Sequence, residues 1–381
     1  MWKARDNGHE LHGSSSDQSP NHHRGALPHR LHLRRRTCDN GAWTRLGVAG
    51  LVMMPGERAE ERAVAELSRL VVGIDLDPAY VERIREAFPD LEVVVCADPA
   101  ELPAALAGAQ GLVTWRVPPE ALAAATALRW VHFAGAGVDG VLSPALVERN
   151  LVLTNNSGVA APNIAEHLLA MMLAFARGLP ELMRYQVRHE WHHPSRRFEL
   201  AGQTLGVVGL GDIGAELAWR AAALGMRVIG LRRRPGEPPR GVERVYPPEA
   251  LHELLGEADH VAICLPLTPR TRHLFGPAEF RAMRRDAYLY NIGRGAIVDQ
   301  EALIAALQAG EIAGAGLDVT DPEPLPPDSP LWDMPNVLIT NHTSGGTPRY
   351  WERGIEVVLD NIGRFRRDEP LRNVVDQREG Y

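Results

Sequence analysis

From residue 70 onward, short apolar runs alternate with stretches in which apolar residues recur at helical spacing. Residues 70–74, 91–96, 111–115 and 130–133 are rich in β-branched and aromatic side chains and predict strands separated by amphipathic segments. Such alternation is the pattern of a parallel sheet covered by helices. A longer segment, residues 162–177, has Pro162 in its first turn and carries Ile164, Leu168, Leu169, Met171, Met172, Leu173 and Phe175 around most of its circumference. It predicts a helix buried on nearly all sides. A second alternating series follows, with strands predicted at 205–208, 227–231, 260–264, 287–291, 315–318 and 337–340. The last helix, predicted at 348–366, has no strand after it and is expected to pack back on the first of two doubly wound domains.

The first 50 residues show no such period; they mix Ser, Asn, Gly and Pro with six histidines and read as disordered. A histidine metal tract, or a targeting or polyanion-binding patch at Arg34, Arg35 and Arg36, is the functional alternative. A signal peptide is not expected, since there is no hydrophobic core, and Asp6, Glu10 and Asp17 speak against a transit peptide. Met53 or Met54 is an alternative start. The chain of 381 residues carries a net charge of −7, but residues after position 50 hold 33 basic and 44 acidic side chains. Such a body repels a phosphate backbone, so nucleic acid is not an expected partner. Lys3 is the only lysine, which excludes Schiff-base chemistry on a lysine of the folded body. The longest strongly apolar stretch, 168–176, is far short of the roughly 20 residues a bilayer span needs. Cys38, Cys96 and Cys264 are scattered and suggest neither a disulfide framework nor a thiolate metal site, so a reducing, cytoplasmic setting and no metal are expected.

Gly209, Gly211 and Gly214 form GLGDIG between a predicted strand and a predicted helix, with Asp212 and Ile213 inside the motif. In that context the first glycine permits a tight turn, the second lets backbone amides approach a pyrophosphate, and the third lets helix and strand pack closely. A dinucleotide cofactor follows. Where an acidic reader of the ribose 2′-hydroxyl is expected, the chain has Arg232, Arg233 and Arg234. Guanidinium groups suit a 2′-phosphate, so NADP(H) is favoured; a solvated arginine run with NAD(H) also accepted is the alternative.

TLGVVGLGDIG, CLPLTPRTRHL, NIGRGAIVDQEAL, GLDVTDPEPLP and VLITNHTSGGTPRYWERG occur in that order, preceded by LTNNSGVAAPNIAEHLLAMMLAFAR. Together they resemble the D-isomer-specific 2-hydroxyacid dehydrogenase family, over nearly everything from about residue 70 onward. The resemblance implies an α/β fold of two doubly wound, parallel-sheet domains, flavodoxin-like and Rossmann, with a cleft between them. Residues 66–158 with 345–381 would bind substrate, 159–344 would bind the dinucleotide, and 1–65 would be an extension. It implies Arg294 as the clamp on a substrate carboxylate, His342 as the proton donor in reduction and base in oxidation, and Glu323 as the partner that selects the tautomer of His342. Leu265, Pro266, Thr271, Ile292 and Asp318 would join the cofactor site, Asp318 near the nicotinamide carboxamide, although a turn cap would also explain Asp318. The loop Phe133–Asp139 would supply backbone amides, those of Ala136 and Gly137, opposite Arg294; a plain turn is the bland alternative.

The family commonly has proline before this histidine, whereas Asn341 stands here, which predicts a less rigid turn. Glu166 and His167 read as structural. Trp115 and Arg116 border the substrate or the surface, and Tyr350 and Trp351 line the pocket or pack the last helix. The expected activity is interconversion of a small 2-oxo acid and a D-2-hydroxy acid, with a glyoxylate or hydroxypyruvate reductase or a broad 2-oxo acid reductase equally compatible. Alternatives are a short phosphoglycerate dehydrogenase, since only 39 residues follow His342, and a dinucleotide-sensing corepressor type of binding module. Formate dehydrogenase is disfavoured because Glu323 stands where it would have glutamine. The apolar circumference of 162–177 exceeds what one domain face requires, which predicts a homodimer through that helix.

Overall fold

A computed structural model describes residues 67–377 and 380, except 235. The expectations for residues 1–65, including the arginine and histidine tracts and the alternative starts, lie outside the described residues.

The first sheet has five strands, β1 (Arg69–Val72), β2 (Glu92–Val95), β3 (Gly111–Thr114), β4 (Trp130–Phe133) and β5 (Val152–Asn155). All neighbouring pairs are parallel and the spatial order is β2-β1-β3-β4-β5. Helices enter through local caps: in α1 (Pro78–Ala87) the Asp77 carboxylate accepts from the Ala79 amide and proline occupies the first turn. Both faces of the sheet are apolar, as a sheet covered on both sides requires, with Leu70, Val72 and Trp130 facing one cluster and Val71, Leu112 and Val131 the other.

Two helices, α2 (Ala161–Ala176) and α3 (Leu179–Gln186), lead to the second sheet. Its strands are β6 (Thr204–Val208), β7 (Arg227–Leu231), β8 (Arg244–Tyr246), β9 (His260–Ile263), β10 (Tyr288–Asn291), β11 (Gly314–Leu317) and β12 (Val337–Ile339). Helix α4 (Asp212–Ala223) follows β6. The order β12-β11-β10-β9-β6-β7-β8 is again wholly parallel, and its strand order reverses between β6 and β9. At such a switch point the connections leave in opposite directions and open a crevice at the carboxyl ends of the strands. The final helix, α5 (Tyr350–Arg366), returns to the first sheet, where Ile355, Val358, Ile362 and Phe365 close the cluster around Leu70 and Trp130.

The predicted strands all form, within a residue or two of their predicted ends. Two strands were not predicted. β5 ends in Thr154 and Asn155, polar side chains that are buried here, so its pattern does not read as a strand; β8 has only three residues, at an edge. Helix α2 was expected to be buried on nearly all sides, but within this chain it buries one face and leaves the other partly or fully exposed. Leu168, Met171, Met172, Phe175 and Ala176 are buried by this chain's own α4 and second sheet, which leaves Leu173 the exposed large apolar residue of that helix. Exposed apolar side chains continue instead along and after α3, at Leu179, Met183, Val187 and Trp191.

Candidate active site

The glycine turn sits at the switch point. Gly209 follows β6 with φ +109°, and a Cβ there would lie 2.6 Å from the Cys264 carbonyl oxygen just past β9. A Cβ on Gly214, in the first turn of α4, would overlap the Gly209 carbonyl oxygen, so helix and turn pack backbone to backbone. Gly211 is different. The space where its Cβ would stand is open, and it begins α4 without a side-chain cap on the first-turn amides. An uncapped helix N-terminus behind an open glycine fits the pyrophosphate of a dinucleotide.

Leu265 borders this turn, with its Cδ2 2.9 Å from the Gly209 Cβ position, and the Thr271 hydroxyl closes the same loop by donating to the Pro266 carbonyl at 2.7 Å. Asp212 accepts from the Ser157 hydroxyl at 3.1 Å, while Ile213 and Ile292 pack into the second sheet's core. Past the end of β7, Arg232 donates to the Glu237 carbonyl at 2.8 Å, and Arg233 and Arg234 are exposed.

The other side of the crevice forms where β10 and β12 end. Asn291, the last residue of β10, accepts from the Gly293 amide at 3.1 Å and donates to the Arg294 carbonyl at 3.0 Å, folding the turn that projects Arg294. The guanidinium reaches the segment after β4 in the first sheet. Its Nε and Nη2 donate to the two carboxylate oxygens of Asp139 at 2.8 and 2.9 Å, and Nη1 donates to the Gly293 carbonyl at 2.8 Å. Any side chain at Gly137 would collide with Nη2, so glycine there is a condition of the contact. The sequence reading set Arg294 opposite the amides of Ala136 and Gly137; the structure adds Asp139 as its partner.

His342 follows β12 in the left-handed region, φ +52°, and its amide donates to the Asp318 carbonyl at 2.7 Å. Nδ1 lies 3.0 Å from Glu323 Oε2, and Glu323 Oε1 accepts from the Thr320 amide at 3.1 Å. A carboxylate against Nδ1 holds the proton on that nitrogen and leaves Nε2 to exchange one with a ligand. The ring is half-exposed, at 48%.

Asp318 is buried and engaged on both oxygens. Oδ1 accepts from the Thr340 hydroxyl at 2.6 Å and the Thr343 amide at 3.0 Å, and Oδ2 accepts from the Ser344 amide at 3.1 Å. Burial alone would raise its pKa, but the hydrogen bonds from Ser344, Thr340 and Thr343 outweigh it and hold the carboxyl below the usual carboxylate range. In place, then, Asp318 caps the turn that carries His342. Beside Asn341 the same turn is also met by His167, whose Nε2 lies 3.0 Å from the Thr340 hydroxyl.

Trp115 is 53% exposed and meets Trp351 edge-on at 6.4 Å, and its ring stands 3.6 Å from the Cβ position of Gly135. Tyr350 donates to the Ala134 carbonyl at 2.6 Å. Sequence reasoning named both but missed the Asp139 partnership, which joins positions 155 residues apart. No group of three or more His, Cys, Asp or Glu side chains poised for a metal occurs among the described residues, and no described helix is long and apolar enough to cross a membrane.

Residues 169–344 match the family described as D-isomer specific 2-hydroxyacid dehydrogenase, NAD binding domain. A glyoxylate reductase of Korarchaeum cryptofilum is 39% identical over 274 residues, 70% of this chain and 81% of that protein. A D-3-phosphoglycerate dehydrogenase of Methanocaldococcus jannaschii is 34% identical over 312 residues, 79% of this chain but 58% of that longer protein. Among solved structures, the NADPH-dependent glyoxylate/hydroxypyruvate reductase of Sinorhizobium meliloti, in complex with NADP and sulfate, superposes with a TM-score of 0.72 at 33% identity, covering 82% of this chain and 100% of that one. The glycine turn, the arginine and the histidine–glutamate pair thus stand in a chain that belongs to the D-isomer specific 2-hydroxyacid dehydrogenase family, a family of NAD(P)-dependent oxidoreductases.

Proposed function

We propose that this chain reduces a small 2-oxo acid to the D-2-hydroxy acid, with NADPH preferred over NADH and glyoxylate or hydroxypyruvate as the substrates to try first. The observation that carries the reading is the reach of Arg294 from the second sheet to Gly137 and Asp139 beside the first. It puts a permanent cation against a loop of backbone amides, which is what a carboxylate next to a ketone needs. Arg294 and the amides of Ala136 and Gly137 hold the carboxylate, and Arg294 polarises the ketone. His342 Nε2 gives a proton to the ketone oxygen, and Glu323 keeps the ring turned for that transfer. The glycine turn would hold the pyrophosphate of the dinucleotide, whose nicotinamide would supply the hydride.

The preference for NADPH rests on Arg232, Arg233 and Arg234 at the end of β7, a stretch without a carboxylate to accept from a free 2′-hydroxyl. Support also comes from the NADP complex of the Sinorhizobium meliloti relative. The exposed apolar side chains Leu179, Met183, Val187 and Trp191 are the surface proposed for a homodimer.

Initial rates with a panel of 2-oxo acids, each with NADPH and NADH, test the reading. Turnover is expected, with kcat/KM at least about tenfold higher with NADPH, a difference of about 1.4 kcal/mol. Equal rates with both cofactors would sink the arginine assignment, and no turnover of any 2-oxo acid would sink the reaction.

A further inference from the structure

The segment after β4 holds its shape through three successive carbonyls. The Ala134 carbonyl accepts from Asn156 Nδ2 at 3.0 Å and from the Tyr350 hydroxyl at 2.6 Å. Gly135 accepts from the Asn156 backbone amide at 3.0 Å, and Ala136 accepts from Asn155 Nδ2 at 2.6 Å. All of these donors except Tyr350 belong to two adjacent residues at the end of β5, where the chain passes from the first sheet toward the second. Both asparagines are buried, Asn155 at 5% exposure and Asn156 at 0%.

Each peptide is planar, with its carbonyl and the following amide pointing in opposite directions. A donor that fixes the Gly135 carbonyl therefore fixes the Ala136 N–H, and a donor that fixes the Ala136 carbonyl fixes the Gly137 N–H. These are the two amides assigned above to the substrate carboxylate. With both carbonyls drawn toward β5, both amides face away from it.

The asparagine side chain is itself immobilised. Asn155 Oδ1 accepts from the Ser157 amide at 3.0 Å, which leaves Nδ2 aimed at Ala136. Its backbone is held as well: the Asn155 amide donates to the Asn373 carbonyl at 3.1 Å, and Asn373 Nδ2 donates to the Asn155 carbonyl at 3.1 Å. The contacts continue inward, where Asn156 Oδ1 meets His132 Nε2 at 3.1 Å and the other ring nitrogen meets the Thr154 hydroxyl at 2.9 Å.

We infer that Asn155 is a positioning residue for carboxylate recognition: it sets the Ala136–Gly137 peptide so that the Gly137 N–H faces the ligand. The inference rests on the reading of the Ala136 and Gly137 amides as the carboxylate site. Asn155 makes no contact with the ligand; it acts through the peptide.

Asn155→Asp keeps the Oδ1 acceptor for Ser157 and replaces the donor to Ala136 with a second acceptor. Asn155→Ala removes both bonds. Oxalate, a 2-oxo acid mimic that is not reduced, reports carboxylate binding to the NADPH complex by fluorescence titration, independently of turnover. Losing one oriented donor weakens binding by about tenfold. The expected result is an oxalate Kd and a glyoxylate KM each raised about tenfold in Asn155→Asp, with the NADPH Kd and the kcat at saturating substrate within about twofold of the parent. A merely structural defect would move the NADPH Kd and the thermal midpoint together with KM. Tyr350→Phe, which removes one of two donors to Ala134 and keeps the ring, is the milder second variant, with an expected rise of about two- to threefold in KM. Oxalate affinity equal in the parent and both Asn155 variants overturns the assignment, as does a parent that does not bind oxalate. A parent that binds oxalate tightly and loses it in Asn155→Asp, yet reduces no 2-oxo acid, overturns the reaction proposed above and leaves the role of Asn155 standing.

Discussion

Each of the two sheets buries one histidine completely, and the two differ in where along the strand it lies. His260 is the first residue of β9, and its ring joins Tyr290 at 3.0 Å and Gln203 at 2.6 Å. His132 is the third residue of β4, and its ring joins Thr154 and Asn156, hence the loop that carries Ala136 and Gly137. Burial pushes both rings down to about 4, so both are neutral struts between strands. In a parallel sheet the ligand edge is the carboxyl edge. On the reading proposed above, the same strut serves only the fold at one end of a strand and both fold and recognition near the other.

The comparison is sharpest where rate and stability separate. Arg294→Ala, at the carboxyl edge, should lower kcat/KM by about 10²- to 10³-fold, the usual loss for one oriented charge-stabilising donor, with little change in the thermal midpoint. Steady-state kinetics beside a melting curve will check it, and an unaltered kcat/KM would break the distinction at its strongest point.

Acid should act on both sheets alike. The unfolded chain takes up protons at histidine near 6.5, whereas the folded rings resist them until about 4. Stability is therefore full above pH 6.5 and falls as the pH drops toward 4, by about 1.4 kcal/mol per pH unit for each ring. Urea midpoints measured across that window test it; a flat profile would mean that the rings are not held neutral.

Next in size is His260→Phe, which leaves Tyr290 and Gln203 without their partner at a cost of about 1–3 kcal/mol. The melting temperature should fall by several degrees and kcat/KM should stay within about twofold. A change in KM of the size expected for the Asn155 variants would show that the amino edge also reaches the site. The smallest effect distinguishes the partner: His132→Phe should cost similar stability and in addition raise the substrate KM by about two- to fivefold, through Asn156 and the Ala134–Ala136 carbonyls. If its KM is unchanged, the two histidines are equivalent after all.

Much of this was legible in the chain. Strands of a doubly covered sheet are runs such as Val71–Val72 or Val207–Val208, apolar on both faces, and they stand out without any alignment. The glycine motif carries its own context, and Arg294 and His342 stood out because each follows a predicted strand inside a recognisable motif. β5 was hidden because its Thr154 and Asn155 are buried for their hydrogen bonds and not for their apolarity. The Asp139–Arg294 pair has no local spacing to betray it. Asp318 was singled out, but its engagement by Thr340, Thr343 and Ser344 depends on neighbouring strands that sequence order alone does not juxtapose. Residue pattern shows how much of α2 is apolar and not whose side chains cover it.

The return of α5 and the segment behind it to the first sheet has a consequence for biosynthesis. Phe365 stacks on Trp130 and Val374 bridges to Thr154, so the first sheet lacks part of its covering until residues beyond the second sheet have been made. A nascent chain can complete the second sheet while the first, though made before it, still waits for its covering.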